Sequence, residues 1–237
     1  MSGNPSNDCS RFDALPEKVR REMTLFTGHA PLISGVEAAN TAKTITFLRN
    51  PVSRVKSFCQ HVSEGKSPYL IAQFPPERFD LDKFLESGND ELSNLQTKML
   101  INDNNCTSSL LINSMSAQQA RDMALENLYH KIAHFGLQEY FDESLMIFYS
   151  ALGWRIPVYY TRNTKANRKA LRFEQRHLDR ISELNRIDLE VYADARKHLV
   201  GIIEGAEFDP DKLKRFRAIN NPIVRSAVRV MEFIQPS

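Results

Sequence analysis

Arg49 and the helix start that follows it are the groups of this sequence best placed by type and spacing to hold an anion. They lie in the run Phe47-Leu48-Arg49-Asn50-Pro51-Val52-Ser53-Arg54-Val55-Lys56-Ser57-Phe58, where an apolar stretch feeds into a basic, hydroxyl-bearing helix start. Thr44 to Leu48 reads as a short, buried, β-branched strand, and Asn50-Pro51 marks a turn with proline at the first helical position. The spacing predicts a helix over 51–62 with Val52, Val55, Phe58 or Cys59, and Val62 on its apolar face. Arg54, Ser57 and His61 fall on the other face. Unpaired backbone N–H groups and the positive end of the helix dipole favour an anion at such a start, and Arg49 is placed to add a two-pronged guanidinium contact. The chemistry suits a phosphate.

The elements that must position this turn follow from the rest of the pattern. Residues 1–14 are expected to form a flexible N-terminal tail and 15–237 a single domain, with a short helix over 15–26. Gly28-His29-Ala30-Pro31 describes a loop, and 65–76, punctuated by Ser, Gly and Pro, a second one. Helices are expected near 81–86, around Leu95, Met99 and Leu100, and over 117–130. The last is opened by a Ser116-to-Gln119 capping-box pattern and has Ala120, Met123 or Ala124, and Leu128 inward. A strand over 132–137, a helix carrying Phe141, Leu145, Phe148, Tyr149 and Leu152 that stops at Gly153, and a strand over 154–160 give the rhythm of a parallel α/β sheet with crossovers. Two more helices, over 178–184 and from Asp188 through Leu199, complete the reading.

The strand-Arg-Asn-Pro-helix run resembles the 3′-phosphate-binding segment of the type-2, carbohydrate-directed sulfotransferases that use the sulfuryl donor PAPS (3′-phosphoadenosine 5′-phosphosulfate). There a strand ends in Leu-Arg-Asp/Asn-Pro and the helix carries Arg and Ser. Three further stretches are similar to the same family. Asn94-Leu95-Gln96-Thr97-Lys98-Met99-Leu100 resembles its Asn-x-Gln-x-(Arg/Lys)-x-Leu helix, and Gly136 through Glu139 to Trp154 its Val-Gly-(Leu/Val)-x-Glu segment. Asn185 to Tyr192 resembles its Asn-x-x-Asp-x-x-(Val/Leu)-Tyr, taken as structural. The resemblance covers about 15–199 and implies a P-loop NTPase-like sulfotransferase fold, a parallel β-sheet flanked by helices.

It also implies roles. Arg49 and Ser57 would hold the 3′-phosphate, with Arg54 helping to bind anions or forming a salt bridge nearby. His29, which on residue type alone is a solvent-exposed loop histidine, would be the general base, since a neutral imidazole with a pKa of about 6.5 can take a hydroxyl proton near neutrality. Arg162, Thr164 and Lys165 sit in a basic loop that ordinarily would be solvated and that in the family folds over the donor nucleotide. Asn94 and Gln96 would reach substrate or stand solvated on an amphipathic helix. Glu139 would orient a substrate or base, or serve as a carboxylate at a helix N-terminus. The scheme needs no metal, and the acceptor it implies is a carbohydrate or similar hydroxyl.

One part of the family pattern is missing. No Pro-Lys-x-Gly-Gly-Thr loop for the 5′-phosphosulfate occurs in the 237 residues, so the fold is expected to be N-terminally incomplete and the activity of this chain impaired. The alternative is therefore a catalytically impaired family remnant that binds a nucleotide, a sulfated glycan or a protein partner. An unrelated phosphoryl-transfer enzyme would need a Walker-type loop or an acidic metal site, and the sequence has neither. A net charge of +2 is too mild for a nucleic-acid-binding protein, and three cysteines without ligand spacing support neither a disulfide framework nor zinc. No apolar run is long enough to span a bilayer and no signal peptide is legible, so a cytoplasmic protein is expected.

Overall fold

Short apolar runs and well-capped amphipathic helices set the architecture. A computed structural model describes residues 14–22, 43–101, 108–154, 159 and 170–221. In chain order these form α1 (Glu17–Glu22), β1 (Ile45–Leu48), α2 (Pro51–Ser63), α3 (Leu81–Leu85), α4 (Leu95–Ile101), α5 (Ser108–Asn113) and α6 (Ala117–His130). Then follow β2 (His134–Leu137), α7 (Phe141–Leu152), α8 (Gln175–Leu184), α9 (Arg186–Ile203) and α10 (Pro210–Asn220). Short 3-10 turns stand at Pro76–Arg78, Asp90–Leu92 and Gln138–Tyr140. The described residues are thus mostly helical, with a small two-stranded parallel sheet of β1 and β2. Parallel pairing requires a long crossover, here α2 through α6.

The described residues divide into two compact units, one within Met1–Phe135 and Leu171–Asp194, the other within Gly136–Ala170 and Ala195–Ser237. The first is centred on Phe84 of α3, fully buried and ringed by Phe58, Phe74 and Phe79 at 5.6, 4.9 and 5.5 Å between centroids. Val55, Cys59 and Val62 of α2 pack on it with Leu92 and Ile181. Of the expected alternatives, Cys59 is the buried member and Phe58 the half-buried one. Burial of this kind contributes about 1.5–3 kcal/mol per large side chain. Desolvation pushes the Cys59 thiol up to about 12, so it is a protonated core group.

α6 starts as its sequence says, with Ser116 and Gln119 completing a reciprocal capping box. Ala120, Ala124 and Leu128 have no exposed surface, while Met123 is 41% exposed. The alanine is the inward choice. Asn127 donates to the Leu100 carbonyl at 2.7 Å and so pins α6 to the end of α4.

In the second unit, Leu145, Met146 and Phe148 of α7 are buried, as are Leu213 and Phe216 of α10, and these two helices pack on each other. Gly153 ends α7 in the left-handed region at φ +63°, where a side chain would be strained. Arg217 of α10 bonds Asp142 and Glu143 at the start of α7, at 3.1 and 2.8 Å. α10 was not foreseen in the sequence, although Asp209-Pro210 is a cap-and-first-turn pair: the Asp209 carboxylate accepts from the Asp211 and Lys212 N–H groups. The strand expected over 154–160 and the end of the helix expected over 15–26 lie largely outside the described residues. No helix among the described residues is long and apolar enough to cross a membrane.

Candidate functional site

The strand-to-helix turn forms as its sequence requires. β1 ends at Leu48, Asn50 stands at the cap position, and its side-chain oxygen accepts from the Ser53 N–H at 3.0 Å. Pro51 opens α2, and the Arg54 N–H closes the first helical bond to the Asn50 carbonyl at 2.9 Å. Ser53, Ser57 and His61 recur at four-residue intervals along α2, and Ser57 and His61 are exposed. Arg49 is half-buried at the strand end. The turn therefore presents an arginine, a helix start and an exposed serine.

Arg54, expected on the face of α2 opposite the apolar stripe with an anion or an ionic partner nearby, meets polar groups there. It is half-buried, and its Nη2 donates to Oδ1 of Asn185 at 3.3 Å. Burial pulls its pKa down; the carboxylates of Asp188 and Glu91 raise it, and the nearby charge of Arg49 lowers it. A helical wheel puts every arginine outside, but this one has polar partners brought in from α9.

Those partners belong to an exchanged pair of helix caps. Asn94 is the cap residue of α4, since its carbonyl accepts from the Lys98 N–H at 2.9 Å, and Asn185 holds the same position in α9, accepting from Leu189 at 2.9 Å. In an ordinary cap each side chain would then satisfy its own helix. Here the Asn94 side-chain oxygen takes the Ile187 and Asp188 N–H groups of α9 at 3.0 and 3.1 Å. In return, the Asp188 carboxylate takes the Gln96 and Thr97 N–H groups of α4 at 3.1 and 2.7 Å. Asn94 achieves this from a left-handed backbone, φ +44°, which asparagine tolerates better than most residues. Asn185 is fully buried, accepts from the Asn94 N–H at 3.0 Å, and donates to the Leu92 and Ile181 carbonyls at 2.7 and 2.9 Å.

Gln96 links this hub to the turn. Its Oε1 accepts from the Arg49 N–H and its Nε2 donates to the Arg49 carbonyl, both at 2.8 Å. Lys98, the next cation on α4, is buried and donates to the Asp90 carbonyl and the Ser93 hydroxyl, each at 3.0 Å. Burial lowers its pKa, against the raising effect of Asp90. Arg49 stands at the turn itself, while the charges of Arg54 and Lys98 are met by carboxylates, Asp188 and Glu91 near the first and Asp90 at the second.

The remaining expected residues are placed as follows. Asn94 and Gln96, expected to reach substrate or stand solvated, use their side chains on helix and strand backbone; Asn94 also borders an open cleft with Ser182, Glu183, Arg186 and Ile187. Glu139 is exposed in the 3-10 turn between β2 and α7. His29, Arg162, Thr164 and Lys165 lie outside the described residues. Among the described residues no cluster of His, Cys, Asp and Glu is grouped to hold a metal ion. Asn185 and Asp188, in the stretch expected to be structural, find their partner in the start of α4. The signal was there as two short motifs, Asn94-x-Gln96-Thr97 and Asn185-x-x-Asp188, each carrying the acceptor that the other helix start lacks. No protein-family model and no curated protein matches this sequence.

Proposed function

We propose that this chain is a sulfotransferase-like protein on a P-loop NTPase-like plan, which moves a sulfuryl group from PAPS to a hydroxyl of a carbohydrate or similar acceptor. The observation that supports the reading is the β1-Arg49-Asn50-Pro51-α2 turn, with Ser57 exposed on the helix and a desolvated Arg54 behind it. Arg49 and Ser57 would bind the donor's 3′-phosphate, and Arg54 would add positive potential from beneath. Arg162, Thr164 and Lys165 would contact the nucleotide, and Glu139 would orient acceptor or base. In the transfer the acceptor oxygen attacks sulfur in line and gives its proton to His29. The bond from sulfur to the 5′-phosphate oxygen breaks, and adenosine 3′,5′-bisphosphate leaves. Positioning and charge stabilisation would dominate such a reaction, as they do in phosphoryl transfer.

The second reading is a non-catalytic protein that keeps the 3′-phosphate pocket, since the residues placed at the turn, Arg49, Arg54 and Ser57, are groups that bind an anion rather than groups that move a proton. Calorimetric titration with adenosine 3′,5′-bisphosphate tests what the two readings share. Binding by the native chain and a loss of about 10- to 100-fold in Arg49→Ala are expected, the worth of a charged, hydrogen-bonded contact. Equal binding by the two proteins would refute the anchor. Transfer of labelled sulfate from PAPS to a glycan panel then separates catalyst from binder.

A further inference from the structure

We infer that Gln96 is a positioning residue that sets the direction in which Arg49 points, so that selectivity for a 3′-phosphate depends on an amide 47 positions away in sequence. The inference rests on the reading of Arg49 as the phosphate anchor and adds to it the group that aims it. At the end of β1 the backbone of Arg49 leaves the strand, and its N–H and carbonyl both need partners. The primary amide of Gln96 offers one acceptor and one donor in a plane, as a peptide group does, and takes both at 2.8 Å. It acts as a one-residue strand neighbour. Two short bonds on a single residue restrict its backbone dihedrals and hence the vector from Cα to Cβ along which the guanidinium leaves.

Gln96 can do this because its own start point is fixed. Its N–H is held by the Asp188 carboxylate at 3.1 Å and the next N–H at 2.7 Å, while Asn94 ties the same turn to α9. The side chain then spans from a stapled helix start to the strand end. With both heteroatoms engaged on Arg49, Gln96 acts on a ligand through Arg49. Neither close relative serves: glutamate has no donor for the Arg49 carbonyl and would set a carboxylate against it, and methionine matches the length of the side chain but forms neither bond.

The test is the ratio of affinities for adenosine 3′,5′-bisphosphate and adenosine 5′-phosphate, measured by calorimetry on the full chain. In the native protein the bisphosphate should bind more tightly, and in Arg49→Ala the ratio should fall by about 10- to 100-fold, toward what Ser57 and Arg54 alone support. Gln96→Met should reduce the ratio about tenfold, in step with a faster-exchanging Arg49 amide. Ser116→Ala is the control: it weakens the cap of α6, which packs on α4, and should leave the ratio unchanged. Gln96→Glu, which keeps the acceptor for the Arg49 N–H, should lose selectivity as well and stands in if the methionine variant does not fold. A ratio unchanged in a folded Gln96 variant would overturn the positioning role while leaving Arg49 as anchor. A native chain that binds both nucleotides alike would instead overturn the anchor, and the inference with it.

Discussion

Asn185→Ala should destabilise the first unit by about 3–4 kcal/mol. Asn185 has no exposed surface, and its amide makes four hydrogen bonds: from Asn94 N–H, from Arg54 Nη2, to the Leu92 carbonyl and to the Ile181 carbonyl. Each neutral bond contributes about 1 kcal/mol net, and a buried group left without its partner costs about 1–3 kcal/mol. The contact to Arg54, at 3.3 Å, is the longest of the four and adds least. Summed without assuming strict additivity, the loss is about 3–4 kcal/mol, a large fraction of the roughly 5–15 kcal/mol by which domains are stable.

Urea unfolding reads this as a midpoint lowered by more than about 1 M at an unchanged slope of about 2–3 kcal/mol/M. The probe must be far-UV circular dichroism, because the single tryptophan, Trp154, lies in the other unit. Amide exchange should localise the damage to α4 and the first turns of α9, the two helix starts that Asn185 joins. Asn185→Asp has the same shape but no donor for the two carbonyls, so it should lose a similar amount without opening a cavity. A midpoint shift below about 0.3 M in both variants would refute the claim that the exchanged caps hold this unit together.

Phe84→Ala should cost about 3–5 kcal/mol, because the ring is fully buried against three others and its removal leaves a void the rigid surround cannot fill; a loss under about 1.5 kcal/mol in the same urea assay would argue against this core. Cys59 should give the stability a slope in alkali. An unfolded thiol titrates near 8.5, whereas burial holds the native one to about 12. Above the unfolded value the native chain keeps a proton that the unfolded chain releases, so stability falls as pH rises toward the native value. Urea midpoints measured at pH 7, 9 and 10 should show this fall, and Cys59→Ala, although less stable at pH 7, should show a shallower one.

The parts legible in the sequence are those fixed by near neighbours. Asn50-Pro51, the Ser116 box and Gly153 each set a helix end through groups within a few residues, and the apolar periods of α2, α6 and α7 choose the buried face. The burial of Arg54 is not legible in the sequence because no local rule buries a guanidinium. What admits it is an asparagine 131 residues later, with the charges of Asp188 and Glu91 offsetting part of the desolvation. Met123 and Ala124 were equivalent by period alone; the flush packing that selects alanine depends on the helix opposite. His177 shows the same limit, buried with Nδ1 accepting from the Glu174 N–H at 2.9 Å and Nε2 lying 3.1 Å from Asp82.

The candidate site illustrates why motif-like polar residues need not touch a ligand. Asn94, Gln96, Asn185 and Asp188 have the types and spacings of a binding constellation, yet each uses side-chain atoms on backbone of a segment far away in sequence. The reason is energetic: two helices that begin side by side in a partly buried place expose several N–H groups each, and water cannot reach them all. Exchanging acceptors satisfies those groups and, in the same bonds, locks one helix start to the other. From that locked pair a single glutamine reaches the strand end that carries Arg49. Precision at the turn is therefore a property of the whole hub, and a change at Asp188 should be felt there by two routes, through Gln96 and through the charge it sets near Arg54.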